Sequence, residues 1–134
     1  MPGETNLDAL LKTMSPKLNE GDFVFCSVAE DFQVNSTDLL GSFREEEGLT
    51  VIIKKSEADR LQLSYSFTAS WISLAVHSSL EAVGLTAAFS KALAEHGISC
   101  NVVAAYYHDH IFVAKKDTSK AMEVLVKLSG SSLK

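Results

Sequence analysis

The sequence has 134 residues, of which 46% are hydrophobic, enough for one compact domain or for two small units that share a core. The formal net charge of −5 argues against nucleic-acid binding, because a protein that binds a duplex needs a basic surface to displace counterions. No apolar run approaches the roughly 20 residues of a membrane-spanning helix, and no basic start followed by an apolar run indicates a signal peptide. We therefore predict a cytoplasmic protein without a membrane partner.

The two cysteines, Cys26 and Cys100, are far apart in the sequence and each lies within a β-like run. We interpret both as small buried hydrophobic residues. The sequence therefore predicts no disulfide framework, which is compatible with a reducing compartment.

The chain begins with a predicted helix, a buried strand and a loop. Apolar residues at helical spacing follow a capping residue, Asn6, and the helix is expected to end at Ser15-Pro16, since the residue before a proline avoids the α region. The run from Phe23 to Val28 is apolar on both sides, which is typical of a central strand. Apolar residues in the range 29–40 repeat at neither the helical nor the strand period, and we interpret this range as a loop.

A hairpin and a short helix are predicted next. Residues 42–55 contain two strand-like runs joined by an acidic turn at 45–48, which we interpret as a solvated loop tip. Ser56 is predicted to cap a short helix that ends at Leu61, with Asp59 placed for a contact like that of a capping box.

Residues 64–70 alternate strictly between polar and apolar side chains, which predicts a half-buried strand. At Trp71-Ile72 the alternation changes phase, which predicts a bulge or a junction between two strands. We place the boundary between two halves of the protein here, at residues 1–70 and 71–134.

The second half is predicted to contain a strand from Trp71 to Val76 and a helix within residues 77–96. The predicted buried face of this helix is formed by Leu85, Phe89, Ala92 and Leu93. Gly97 is expected in the left-handed conformation that ends a helix, with Ile98 making the apolar contact that follows it. We interpret His96, in the last turn of this helix, as a structural residue, because a cation there complements the helix dipole.

A second hairpin and a last helix complete the predicted elements. Residues 99–107 and 111–114 are expected to pair across a turn at His108-Asp109, and Asp117 to cap the last helix. Residues 43–61 and 106–125 share one order of features: an aromatic residue, an acidic turn, a β-branched strand, Lys-Lys, a cap and a helix. This echo predicts two related units, the second without a final strand, whose sheet edge would be covered by the first half or by another copy of the chain.

The segments Val83-Gly84-Leu85-Thr86 and Leu93-Ala94-Glu95-His96-Gly97-Ile98-Ser99 resemble ACT domains, which are small ferredoxin-like modules. With Tyr107-His-Asp-His-Ile-Phe-Val113, they are similar to a short bacterial branch of that family with two ACT-like halves. The resemblance covers residues 72–128 well and residues 23–61 as a degenerate half. It implies an α+β, ferredoxin-like fold with tandem βαββαβ-type halves, antiparallel sheets and helices on one face.

The same resemblance implies a non-catalytic regulatory module that binds a small metabolite, with an amino acid favoured, at an interface between ACT-like units. It also implies a homodimer and a separate protein partner that the module regulates. Neither a cofactor nor a metal is expected.

The loop at residues 77–86 is the predicted ligand site. N–H groups at the start of a helix lack partners within the helix and favour a carboxylate, and Gly84 lets a ligand approach the backbone. Serine and threonine side chains there can donate hydrogen bonds, and Glu81 can accept one from an α-ammonium group. A local alternative is that Ser78 and Glu81 form a capping box. The predicted ligand-binding residues are His77, Ser78, Ser79, Glu81, Gly84, Leu85, Thr86 and Asn101.

Two further functions stay open. One is a homo-oligomeric interaction module without a ligand. The other is a small metal protein or enzyme built on His77, His108 and His110, because histidines two residues apart on a strand face the same side. No third ligand is set by spacing, and the sequence shows no nucleophile elbow and no phosphate-binding glycine loop.

Overall fold

The computed structural model describes residues 11–75 and 84–130, with the end of a helix at residues 11–13. Three further helices lie within these ranges, the last preceded by a 3-10 turn at Lys115–Asp117: α1 (Lys55–Arg60), α2 (Leu85–Ala94) and α3 (Thr118–Leu128). Within the described ranges, no helix combines the length and the apolar character needed to cross a membrane.

Seven strands of the described chain form one antiparallel sheet: β1 (Ser15–Leu18), β2 (Phe23–Val28), β3 (Leu39–Arg44), β4 (Leu49–Lys54), β5 (Ala69–Ala75), β6 (Cys100–Ala104) and β7 (Asp109–Ala114). The strand order is β3-β4-β2-β5-β7-β6, and β1 pairs with β5. This is the predicted α+β fold with an antiparallel sheet and tandem halves. The predicted end of the first helix is confirmed, but the strand that begins at Ser15 was not predicted.

Strand β5 joins the two halves. One edge pairs with β7 over six residue pairs in unbroken register. The other edge pairs with β1 and, at Phe23 and Ala69, with β2. Between β1 and β2, the Asn19 backbone N–H donates to the Trp71 carbonyl at 2.9 Å, and the Asn19 side-chain amide donates to Ser73 Oγ at 2.9 Å. The chain therefore follows the edge of β5 as it passes from one strand to the next.

The larger core lies between β5–β7 and the helices α2 and α3. Helix α2 buries Leu85, Phe89 and Leu93 at i, i+4 and i+8, as its helical pattern predicts. Helix α3 places Ala121, Val124 and Leu125 against the same sheet face. A second core, on β2 and β4, includes Ala58 of α1 and the buried Cys26.

The end of α2 has the predicted geometry. Gly97 has a φ of +72°, which favours glycine because it has no Cβ. The Ile98 N–H donates to the Leu93 carbonyl at 3.0 Å, and the Ile98 side chain is buried. These are the contacts of a left-handed helix end followed by an apolar residue.

The prediction of a strand at residues 64–70 was wrong for residues 64–68, because β5 begins only at Ala69. Tyr65 instead donates from its hydroxyl to Asp59 Oδ1 at 2.6 Å, and the Phe67 ring stacks on Phe25 at 6.1 Å. The predicted bulge at Trp71 was wrong too, since the ladder with β7 is regular there. Ser70 is only 5% exposed, and its hydroxyl lies 2.6 Å from that of Thr118. The apparent phase change arises because this polar side chain points into the core.

Two local predictions also need correction. The second hairpin turns at Tyr106-Tyr107, not at His108-Asp109: the Ala105 N–H donates to the His108 carbonyl at 3.0 Å, and Asp109 pairs with Ala104. Ser56 does not cap α1, which begins one residue earlier and has no side-chain cap. In the hairpin, β7 begins two residues before its apolar run, because backbone pairing does not require apolar side chains.

The face of the sheet without helices is also apolar. Ile52, Ala69 and Phe112 are buried there, and the rings of Phe25 and Phe112 meet edge to face at 5.2 Å. These two rings belong to β2 and β7, with β5 between them. They meet above the small side chain of Ala69. The sheet therefore curls, and the hairpins β3–β4 and β6–β7 approach each other on this face.

Candidate functional site

Helix α2 begins directly after Gly84, whose φ of +96° is left-handed. The Ala88 N–H donates the first helical hydrogen bond, to the Gly84 carbonyl at 2.8 Å. The N–H groups of residues 85–87 therefore have no acceptor within the helix itself. Thr86 is exposed, whereas the Leu85 side chain is 6% exposed and packs in the core. Leu85 therefore offers a ligand its backbone rather than its side chain.

The predicted partner Asn101 lies elsewhere. It is exposed on β6, opposite Phe112 in the ladder with β7. Residues opposite each other in a ladder point to the same face, so Asn101 lies on the face without helices. Leu85 and the start of α2 lie on the other face. The structure therefore does not bring Asn101 to the described part of the loop.

Four of the predicted residues, His77, Ser78, Ser79 and Glu81, lie outside the described residues. Within the described part, the predicted site consists of Gly84, Thr86 and the backbone of residues 85–87. The full ligand-binding set stays a prediction.

A polar pair not predicted from the sequence lies on the face without helices. The Trp71 indole N–H donates to His110 Nδ1 at 2.9 Å, and Ser73 Oγ lies 3.3 Å from the same nitrogen. The indole N–H is only a donor, so His110 Nδ1 must be the acceptor and the neutral imidazole carries its proton on Nε2. The sequence gives only a weak signal of this pair, because strand register decides that Trp71 and His110 meet.

Burial lowers the pKa of the His110 imidazole, the nearby His108 lowers it further, and Asp109 opposes this shift. Burial raises the pKa of the Asp109 carboxyl, with His110 opposing. The neutral form of His110 is therefore favoured, which agrees with its role as the acceptor for Trp71.

The described residues do not form a set of ligands for the metal site that the sequence left open. No group of three histidine, cysteine, aspartate or glutamate side chains is placed to hold a metal ion within residues 11–75 and 84–130. The rings of His108 and His110 lie 6.3 Å apart, and Nδ1 of His110 already accepts from Trp71. The third histidine of that hypothesis, His77, lies outside the described residues.

Within residues 11–75 and 84–130, the cysteines show no arrangement for nucleophilic catalysis. Both are free thiols in the structure, and burial raises the pKa of the Cys26 thiol. Cys100 Sγ lies 4.0 Å from Ser90 Oγ. Neither the burial of Cys26 nor the contact of Cys100 with Ser90 activates the sulfur as a nucleophile.

A polar groove at the β1–β2 turn and the start of α1 was not predicted. It has a volume of about 550 Å³ and is lined by acidic and basic side chains, among them Asp22, Lys54 and Asp59. Its charges largely pair with each other or with neighbours: Lys55 Nζ lies 3.0 Å from Asp59, and Lys115 Nζ lies 2.6 Å from Asp22. These two pairs reduce the uncompensated charge that the groove presents to a ligand.

One solved structure is similar over nearly the whole chain. A protein of unknown function from Vibrio cholerae, described as a possible transport protein, is 46% identical with a TM-score of 0.81, and the match covers 92% of this chain and 95% of that one. No curated protein matches the sequence.

Two structures at low identity share the fold. The aspartate kinase of Clostridium acetobutylicum, described as an allosteric enzyme, is 9% identical with a TM-score of 0.61, over 86% of this chain and 34% of that one. A chain from Porphyromonas gingivalis, assigned as a C-terminal regulatory domain of aspartate kinase, is 14% identical with a TM-score of 0.56, over 85% of this chain and 95% of that one.

Two family models, both described as ACT domain, match the sequence at residues 2–70 and 66–127. Their order agrees with the two hairpins, β3–β4 and β6–β7, which are each followed by a helix on the same face of one sheet. The chain therefore belongs to the ACT domain family and carries two ACT units in tandem.

Proposed function

We propose that this chain is a non-catalytic regulatory module that binds a small metabolite, an amino acid, at an interface between ACT units. Domains of this family are in general regulatory, ligand-binding modules. The observation that carries the proposal is the start of α2, where a left-handed Gly84 precedes N–H groups that have no acceptor within the helix.

The chemistry of this helix start suits an α-carboxylate. Three consecutive N–H groups and the positive end of the helix dipole stabilise negative charge. Gly84 has no side chain to block the approach, and the exposed Thr86 hydroxyl adds a donor. We assign recognition of the ammonium group to Glu81, with Ser78 and Ser79 as additional donors.

Helix α2 holds these N–H groups in place, because Phe89 and Leu93 are fully buried against the sheet. A ligand regulates only if it binds one state of the protein more tightly than another. In a cytoplasmic chain of two ACT units, we assign that change of state to assembly as a homodimer or to docking on a separate regulated protein.

A second candidate function, an interaction module without a ligand, is favoured by exposed aromatic side chains. Phe43, Tyr106 and Tyr107 are 72%, 92% and 78% exposed, on the β3–β4 and β6–β7 hairpins. Tyrosine and phenylalanine are enriched at protein interfaces, where they bury a large area at a low cost in conformational entropy.

Thermal unfolding of the purified chain with each of the twenty amino acids tests the first proposal. A ligand at 100 times its dissociation constant adds about 2.7 kcal/mol to the free energy of unfolding, which shifts the melting temperature by several degrees. A flat result across the panel contradicts amino-acid binding and favours the interaction module.

A further inference from the structure

A cavity of about 130 Å³ lies on the face of the sheet without helices, where the sheet curls. Both ACT units line it: Leu40, Gly41 and Ile52 belong to the first hairpin, and Val103 and Phe112 to the second. Trp71, on the strand that joins the two units, completes the wall. The cavity is therefore a product of the tandem arrangement, and it is separate from the start of α2.

Part of this space exists because Gly41 has no side chain. A Cβ at this position would meet Ile52 Cδ1 at 3.5 Å, an ordinary contact, and the backbone of Gly41 is not in the left-handed region. Gly41 pairs with Ile52 in the ladder, so a side chain here would point to the same face as Ile52. A larger residue would fill the cavity without backbone strain.

The lining offers one hydrogen-bond donor. Trp71 Nε1 is already bonded to His110 Nδ1, so the His110 proton is on Nε2. Nε2 makes no hydrogen bond to another residue within the described ranges, and the His110 ring lines the cavity. The remaining lining side chains are apolar. A molecule in this cavity that reaches Nε2 can therefore use one acceptor atom.

The volume of the cavity and the lack of charged side chains in its lining limit which molecules can bind there. A cavity of about 150 Å³ lined by apolar side chains accommodates benzene, so this one suits a molecule of about six non-hydrogen atoms. An ionised group would lose part of its hydration here without meeting an opposite charge, because no lining side chain is a carboxylate, lysine or arginine. The lining therefore favours an uncharged molecule over a zwitterionic amino acid.

We propose that this cavity is a second ligand site, for a small uncharged apolar molecule that accepts one hydrogen bond from His110 Nε2. The proposal does not depend on amino-acid binding at the start of α2. The site joins the two ACT units across β5, so its occupant contacts both of them at once.

The test uses two probes of the same shape: tetrahydropyran, which has one ether acceptor, and cyclohexane, which has none. Trp71 is the single tryptophan of the chain, so its fluorescence reports on the cavity wall directly. We expect both probes to shift the Trp71 emission saturably, with tetrahydropyran binding at about millimolar concentration, as is usual for a fragment of six atoms.

Variants identify the site. Gly41→Leu should abolish the saturable response to both probes, whereas Ser42→Leu, which adds the same bulk one residue later on the opposite face of β3, should keep it. His110→Phe should weaken tetrahydropyran about fivefold relative to cyclohexane, because only the ether loses a hydrogen bond. Circular dichroism confirms that each variant is folded.

Three results overturn the proposal. The first is a Trp71 spectrum that neither probe changes in the natural chain. The second is an equal response in Gly41→Leu, which would place the probes elsewhere. The third is an equal effect of His110→Phe on the binding of both probes, which would show that tetrahydropyran accepts no hydrogen bond from His110.

Discussion

The indole N–H of Trp71, on β5, donates a 2.9 Å hydrogen bond to Nδ1 of His110, on the adjacent strand β7. Ser73 lies directly opposite His110 in the ladder, and its hydroxyl is 3.3 Å from the same nitrogen. Protonation of His110 places a second N–H where the indole already donates, so this bond requires the neutral imidazole. The bond couples the charge of one side chain to the packing of the sheet face without helices.

The first prediction concerns pH. The pKa of His110 is lowered in the folded protein, so the unfolded chain binds more protons between that lowered value and the ordinary value of about 6.5. The free energy of unfolding should therefore fall as the pH drops below about 6.5. The groups that face His110 are Trp71, Ser73, His108 and Asp109. The pKa of the Asp109 carboxyl is raised in the folded protein, so its contribution has the opposite sign and makes the free energy of unfolding rise as the pH falls.

Urea unfolding from about pH 8 to pH 5.5 measures this effect. His110→Phe should reduce the pH dependence in this range. A steep dependence that survives in His110→Phe would assign the titration to another group.

The second prediction concerns the two ends of α2. Gly84→Arg should abolish the thermal shift caused by the amino-acid ligand, because the arginine side chain blocks the approach to the helix start. Gly97→Arg is the matched control, because it makes the same change at another left-handed glycine, at the opposite end of α2. Apart from its two chain neighbours, no heavy atom of the described residues lies within 4 Å of the new Cβ.

Both variants should lose about 1–2 kcal/mol of stability, because a side chain disfavours the left-handed region. Only Gly84→Arg should lose the ligand response. An equal response in both variants would move the ligand away from the start of α2.

The third prediction concerns the buried hydroxyl of Ser70. Its Oγ lies 2.6 Å from Thr118 Oγ1. The Thr118 hydroxyl donates its proton to the Lys115 carbonyl at 2.7 Å. Ser70→Ala should lower the free energy of unfolding by about 1 kcal/mol, the usual net value of such a bond. Ser66→Ala, at an exposed position of the same alternating segment, should change it by less than about 0.5 kcal/mol. Equal effects in chemical denaturation would show that the buried bond adds nothing.

The fourth prediction compares two phenylalanines. Phe89 is fully buried between α2 and the sheet, whereas Phe43 is 72% exposed on β3. Phe89→Ala should cost about 3–5 kcal/mol in urea unfolding, from lost burial and the cavity that remains. Phe43→Ala should leave the stability of the monomer nearly unchanged.

Phe43 also tests the interaction module. If the exposed aromatic side chains form a homodimer interface, Phe43→Ala should shift sedimentation of the protein toward the monomer at concentrations where the natural chain is dimeric. A natural chain that is monomeric at all accessible concentrations would contradict that function.

Much of the fold could be predicted because its elements have regular apolar periods. Leu85, Phe89 and Leu93 repeat at helical spacing and do face the core. Gly97 and Ile98 end α2 as expected, since only local backbone geometry is involved. Residues 64–68 alternate like a strand but form no ladder with another strand of the described chain, because a strand depends on a partner that local sequence does not specify.

The candidate site could be predicted only in part, for the same reason. Gly84 at the start of α2 follows from local signals for a helix start. The position of Asn101 depends on the register of β6 against β7, and a shift of one residue reverses the face of every side chain in the strand. The observed register places Asn101 beside Phe112, away from the helix start.

The sequence by itself determined where α2 ends and which of its side chains are buried, because these depend on contacts between residues near one another along the chain. Its motifs also predicted two ACT units. Only the tertiary structure decided that Trp71 meets His110, that Ser70 is buried, and that the two hairpins enclose a cavity. These relationships join residues that are distant in sequence. They depend on strand register and on the curl of the sheet, which packing of the whole chain sets.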